Sequence, residues 1–368
     1  MFNFKDKVVY QIYPKSFYDS NNDGLGDIKG ITLKLDYLKD LGVDYIWMNP
    51  IFISPQKDNG YDVEDYKHIN PDFGTMEDLE ELIFEAKKRD IYLMFDMVFN
   101  HTSTEHVWFK KAMAGDEKYK NYYYFKKPHE DGSMPTNWES KFGGPCWEYV
   151  EKFDEYYLHL FDVSMADLNW SNPDVRKEVQ GIVQFWIDKG IKGFRFDVIN
   201  LIDKIKFEND YEGVGKRFYT DGPLVHDYLR ELNEATFGRY EGMVTVGEMS
   251  ATTIENCIGY TNPDNHELNM AFNFHHLKVV YKNKEKWTVM PFDFKELQDL
   301  FNSWELGMQE NNGWNALFWN CHDQPRSISR FGNDTKYHKE SAKMLAASIH
   351  LQRGTPYIYT VSYTHLRA

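Results

Sequence analysis

The chain has 368 residues, a formal net charge of −15, 17% aromatic residues and three cysteines, enough length for one large α/β domain or two ordinary ones. The acidic balance disfavours a nucleic-acid partner, which needs a basic surface, and no apolar run approaches the ~20 residues of a membrane-spanning helix. Cys146, Cys257 and Cys321 form no CxxC pair and no secretory signal precedes Lys5, so a reducing, cytoplasmic setting is expected rather than a disulfide framework.

Residues 8–13 read as a first strand. The run Asp19–Asp27 follows, with oxygen-bearing side chains at alternate positions around Gly24. Such spacing suits a structural Ca²⁺, with Asp19, Asn21, Asp23 and Asp27 supplying side chains and Leu25 a carbonyl; a plain polar turn is the alternative. A second strand is placed at 44–49. It leads to Asp58-Asn59-Gly60-Tyr61-Asp62, which also reads as an ordinary Asp-Asn-Gly turn. Leu79, Leu82, Ile83 and Ala86 fall at helical spacing between Thr75 and Asp90. The third strand, 92–97, carries Asp96.

The gap from 98 to about 170 is too long for an ordinary βα loop and holds Tyr122, Tyr123, Tyr124, Trp138 and Trp147. It reads as a small subdomain lying over the rim. Asn172 caps a helix with Pro173 at its first position, and Gly190 closes it. Further strands are expected at 192–197, 243–248, 268–274, 316–320 and 355–359. Repeated β-then-α order implies a parallel sheet. Four of the runs end on a carboxylate: Asp96, Asp197, Glu248 and Asp323. A TIM (β/α)8 barrel collects such residues at one rim, and paired carboxylates there point to glycosidic bond chemistry. The predicted layout is a barrel over 1–100 and 171–359, an inserted subdomain over 101–170 and a tail over 360–368.

Asp96–His101 at the third strand, Gly193–Asp197 at the fourth, Glu248 at the fifth and His322-Asp323 at the seventh resemble, in order and in strand, the four sequence regions of the α-amylase superfamily of glycoside hydrolases. The resemblance implies Asp197 as nucleophile, Glu248 as acid/base and Asp323 as a third carboxylate gripping sugar hydroxyls. Arg195, on the same strand face as Asp197, can keep it ionised. His101 and His322 are then hydroxyl donors, and Asp58 and Tyr61 bind the non-reducing-end glucose, closing the pocket for exo action. No cofactor for catalysis is implied.

Met165–Asn169 is similar to the fifth region of the oligo-1,6-glucosidase subfamily, with Met and Ala as departures. Phe274-His275-His276-Leu277-Lys278, then Lys282, Lys284 and Lys286, gathers imidazoles and ammonium groups in an otherwise acidic chain. Such a cluster can neutralise a phosphate dianion; a solvated basic loop is the alternative. Residues 8–359, including Pro135–Gly144 and Thr261–Asn265, resemble the trehalose-6-phosphate hydrolase (phosphotrehalase) family. That resemblance implies phosphate contacts from His275, His276, Lys278 and Lys286, a small phosphorylated disaccharide as substrate, and a monomer. The rivals are an oligo-1,6-glucosidase or α-glucosidase on short isomalto-oligosaccharides, a non-catalytic barrel, and an inactive truncated fragment. Cys321 stands where these families carry Asn. After Tyr359 the expected final helix and C-terminal β-sandwich are missing from this chain.

Overall fold

The computed structural model describes residues 2–281, 286–287, 290–291 and 293–360. Eight strands close a parallel barrel: β1 (Val9–Ile12), β2 (Tyr45–Met48), β3 (Tyr92–Met97), β4 (Gly193–Phe196), β5 (Val244–Glu248), β6 (Met270–Phe272), β7 (Asn315–Leu317) and β8 (Gly354–Tyr359). Each neighbours its successor in the chain, and β8 returns to pair with β1 at Val9 opposite Tyr357. All eight expected strands are present.

Side-chain alternation on the strands decides what faces the barrel axis. On β4, Phe194 and Phe196 point outward into the helix layer, so Gly193 and Arg195 point inward. Gly193 must be glycine: a Cβ there would lie 2.8 Å from that of Met94. Trp47, Met94, Val246, Met270, Phe272 and Tyr357 fill the lower interior. The Tyr357 hydroxyl meets the Met270 sulfur at 3.4 Å. Above this apolar plug the inward positions turn polar: Gln11, Asp96, Arg195 and Glu248 are all buried.

The helices begin and end where their caps dictate. Thr75 and Asp78 exchange reciprocal bonds of 3.2 and 2.9 Å at the start of helix Met76–Lys87. Asn172 accepts from the Asp174 amide ahead of helix Pro173–Lys189, and Gly190 ends it at φ 103°.

The long segment after β3 forms small sheets of its own. It pairs His101–Ser103 with Met165–Asp167 and forms a three-stranded antiparallel sheet from Phe125–Lys126, Glu155–Leu158 and Trp147–Val150. Its core extends past the expected boundary at 170. Trp138 stacks on Phe207 and Phe218 at 5.4 and 5.9 Å, so the loop after β4 packs as part of the same unit.

Candidate active site

Arg195 organises the rim. Its Nη1 lies 2.6 Å from both Asp96 Oδ1 and Asp197 Oδ1, and its Nη2 bonds Glu248 Oε2. Asp197 and Glu248 are thus held side by side on the two terminal nitrogens of one guanidinium. Strand register produces this. Arg195 sits opposite Asp96 on β3 and Val246 on β5, two residues before Glu248.

One cation facing three buried carboxylates leaves surplus negative charge, which is relieved by holding a proton. Asp96 accepts from Trp47 Nε1 at 3.1 Å and Tyr61 Oη at 2.8 Å besides Arg195. Burial raises the Asp96 carboxyl to about 6, and these three donors hold it from rising further. Burial pushes the Glu248 carboxyl above its ordinary range against the pull of Arg195, and the charges of Asp197 and Asp323 push it further. Glu248 is therefore the natural holder of the proton. Burial also raises Asp197, while Arg195 pulls it down. The Asp197 amide donates to Met97 O at 2.9 Å, and Val198 turns away at φ 36°. That left-handed conformation is costly for a β-branched residue.

A cleft of about 550 Å³ runs over these acids, lined among others by Asp58, Tyr61, His101, His322, Asp323, Lys278 and Lys286. Tyr61 stacks on His322 with centroids 5.2 Å apart. Gln11 Nε2 donates to His322 Nδ1 at 2.9 Å, so the ring carries its proton on Nε2, 3.4 Å from Asp323. Burial keeps that ring neutral. The Asp58 carboxyl is pushed up to about 7 by burial and by Asp62, Asp323 and Asp162, so near neutrality it can donate to or accept from a hydroxyl. Burial lowers His101 to about 4. Its Nε2 bonds Tyr61 O at 3.2 Å, a contact that a bound hydroxyl would have to share.

The basic cluster divides. Lys278 and Lys286 face the cleft. His275 is a correction: it is not part of the cleft lining, its Nε2 is bonded to Thr252 O at 2.8 Å and its ring packs on Trp304. His276 is a correction: it is 7% exposed and bonds Phe318 O at 2.7 Å on the side facing away from the cleft, and burial pushes it down to about 4. Lys282 and Lys284 lie outside the described residues.

In the Asp19–Asp27 loop, Asp19 accepts from the amides of Asn21, Asn22 and Gly24 at 3.1, 2.6 and 2.8 Å, and Asp23 from Leu25 N at 2.8 Å. Asp27 turns to Ser20 and caps helix Ile28–Leu33. Among the described residues, the one group of three His, Cys or acidic side chains with ligand atoms within 4.8 Å is Cys321, His322 and Asp323. Burial holds the Cys321 thiol protonated, and the other two belong to the cleft.

The sequence reading missed the support layer. Lys204 Nζ, fully buried, bonds Asp167 at 2.7 Å and Asn100 Oδ1 at 2.8 Å. Asn100 Nδ2 lies 3.2 Å from His101 Nδ1. Asn49 links Gln11 to Tyr61 with two 2.9 Å bonds. The only signal available was the polar residues at strand ends.

Residues 11–364 match the family model for the alpha-amylase catalytic domain. The chain is 59% identical over 358 residues to the trehalose-6-phosphate hydrolase of Bacillus subtilis (strain 168) and 50% over 357 residues to that of Escherichia coli (strain K12). It is 49% identical over 364 residues to the oligo-1,6-glucosidase of Parageobacillus thermoglucosidasius. Each match covers 97% of this chain and 64% of the relative, so the chain spans just under two thirds of their length. The crystal structure of Bacillus licheniformis trehalose-6-phosphate hydrolase is similar with a TM-score of 0.95 at 56% identity, over 98% of this chain and 65% of that one. With the match running from β1 to past β8 and through every strand that bears an acid, the chain belongs to the alpha-amylase family.

Proposed function

We propose that the chain carries the catalytic centre of a retaining α-glycosidase that hydrolyses trehalose 6-phosphate to glucose and glucose 6-phosphate. Asp197 attacks the anomeric carbon of the non-reducing glucose. Glu248 gives its proton to the glycosidic oxygen, and glucose 6-phosphate leaves. Glu248 then takes a proton from water, whose oxygen displaces Asp197 and releases glucose. Tyr61, His322, Asp58 and Asp323 surround the glucose at the closed end. The observation that carries the reading is a single cleft that joins an Arg195-bound acid pair to a wall bearing Lys278 and Lys286. The relatives at 59% and 50% identity bear the name of this activity.

Steady-state kinetics test it. The kcat/KM for trehalose 6-phosphate is expected to exceed that for trehalose roughly 100-fold, because charge-assisted contacts to the phosphate are the strong ones. Equal values on the two sugars would overturn the phosphate reading. A preference for isomaltose would favour the oligo-1,6-glucosidase reading, which the 49% identical relative supports.

We also propose that the Asp19–Leu25 loop takes a calcium ion. The donors are all oxygens, and the backbone amides around Asp19 hold its carboxyl below the usual range. Asp19, Asn21, Asp23 and the Leu25 carbonyl would hold the ion, with Asp27 anchoring the loop end. Its part is to neutralise the loop's charge. The loop lies outside the cleft lining, so EGTA is expected to lower Tm by about 4 °C while changing kcat less than about two-fold. A melt unaffected by EGTA would remove the ion. A reducing compartment fits Cys146, Cys257 and Cys321, all free and buried.

A further inference from the structure

We infer that Lys141 and Ser250, together with Lys278, form the seat for the phosphate monoester of the leaving sugar. The inference rests on the reading above and adds Lys141 and Ser250, which the sequence did not single out, to Lys278.

Lys141 is held on the inserted subdomain. Its amide donates to Leu160 O at 2.7 Å, and Ser140 Oγ beside it donates to Phe161 O at 2.7 Å. Phe142 and Phe161 line the cleft edge to face, 5.6 Å apart. From this base Lys141 Nζ reaches across to the loop after β5 and donates to Ser250 Oγ at 3.2 Å.

Ser250 lies two residues past Glu248 and is fixed on both sides. Its amide donates to Asn200 Oδ1, and its carbonyl accepts from Asn200 Nδ2, each at 2.9 Å. Asn200 is fully buried and donates to Asp221 Oδ1 at 3.0 Å. The Ser250 hydroxyl, having accepted from Lys141, keeps its own proton for an acceptor in the cleft that it lines.

The charges fit an anion. Lys141, Lys216 and Lys278 lie close enough to repel one another, and none is ion-paired to a carboxylate among the described residues. Burial and this repulsion bring Lys141 down to about 8. Glu248 offsets part of this repulsion, and the remaining crowding of ammonium groups inside a protein of net charge −15 favours the arrival of an anion. The cleft is thus acidic at the Asp58 and Asp323 end and basic at the Ser250 and Lys278 end. A substrate neutral in its first ring and dianionic on its second matches both ends. The position of Ser250 next to the acid that protonates the leaving oxygen places the anion on the departing sugar.

The test is the ratio of kcat/KM for trehalose 6-phosphate to that for trehalose, measured on the full chain. Lys141→Met is expected to lower the ratio about 30-fold and Ser250→Ala about five-fold, while Lys141→Arg keeps most of it. Should Lys141→Met melt out, Ser250→Ala and inhibition by glucose 6-phosphate decide, because inhibition must weaken in that variant if the hydroxyl binds phosphate. Wild-type ratios in both Lys141→Met and Ser250→Ala overturn this seat and leave the proposed activity standing. A wild-type protein without preference for the phosphorylated sugar overturns both.

Discussion

Asp197→Ala is expected to lower kcat on an activated α-glucoside by roughly 10⁴-fold, with the fold intact. Asp197 is the acid whose carboxylate lies on Arg195 Nη1 at 2.6 Å, and its backbone is pinned to β3 through Met97 O at 2.9 Å. No other carboxylate can take its place. Asp96 is committed to Trp47, Tyr61 and Arg195, and Glu248 must keep its proton for the leaving oxygen. The alanine leaves a hole beside a guanidinium, which suits a small anion. Azide should enter it, attack the anomeric carbon once and depart as the β-glucosyl azide, restoring part of the rate with an activated leaving group. Stability should move the other way. Burial raises the folded Asp197 pKa, so its ionisation near neutral pH works against folding, and Arg195 still has Asp96 and Glu248. Tm is expected to hold or rise by about 1–3 °C, the usual trade between function and stability. A kcat within ten-fold of wild type, or azide rescue giving the α-azide, would remove Asp197 from the role of nucleophile.

The barrel was legible because its parallel strands are short apolar runs with period-2 alternation, each bounded by a carboxylate or a turn. The least legible was β6, because only Met270–Phe272 of the expected 268–274 pairs in the barrel. The acids were legible because a charge on the last residue of a buried strand has few structural uses. Side-chain direction within a single turn was less so. Residues His275–Val280 form a 3₁₀ helix, in which positions three apart share a face. Lys278 reaches the cleft and His275, on the same face, is half-buried against Thr252 and Trp304, while His276 and Val279 go into the core. Two adjacent histidines in a basic run look alike in sequence, and this geometry separates them. Lys204 and Lys141 were invisible for a related reason. Each reaches its partners from a connecting segment, Asn100 and Asp167 for one and Ser250 for the other, and no spacing rule links 204 to 100 or 141 to 250.

Arg195→Met carries the second large effect, because it removes the guanidinium that bonds all three buried acids. Leaving a buried charge cluster without its partner costs about 3–5 kcal/mol. The cost has a pH signature. Arg195 lowers the pKa of Asp96, Asp197 and Glu248, each of which burial raises. Without it all three move further up. The folded state then binds more protons than the unfolded chain over the window from the ordinary carboxylate range to the raised folded values. Stability consequently falls as pH rises through that window. The variant should come nearest to wild type in acid and lose most of its margin near neutrality, the reverse of ordinary acid denaturation. Residual activity should shift the same way. The acidic limb, which needs Asp197 ionised, and the alkaline limb, which needs Glu248 protonated, both move to higher pH. Arg195→Lys should recover part of the stability and little of the rate, because a single ammonium cannot reproduce a planar fork that serves Asp96 and Asp197 on one nitrogen and Glu248 on the other. Urea melts at pH 5 and pH 8, with kcat/KM profiles over the same range, measure both effects. If Arg195→Met melts like wild type at pH 8 and keeps its pH profile, the charge balance of the rim does not depend on Arg195, and the assignment of the proton to Glu248 loses its basis.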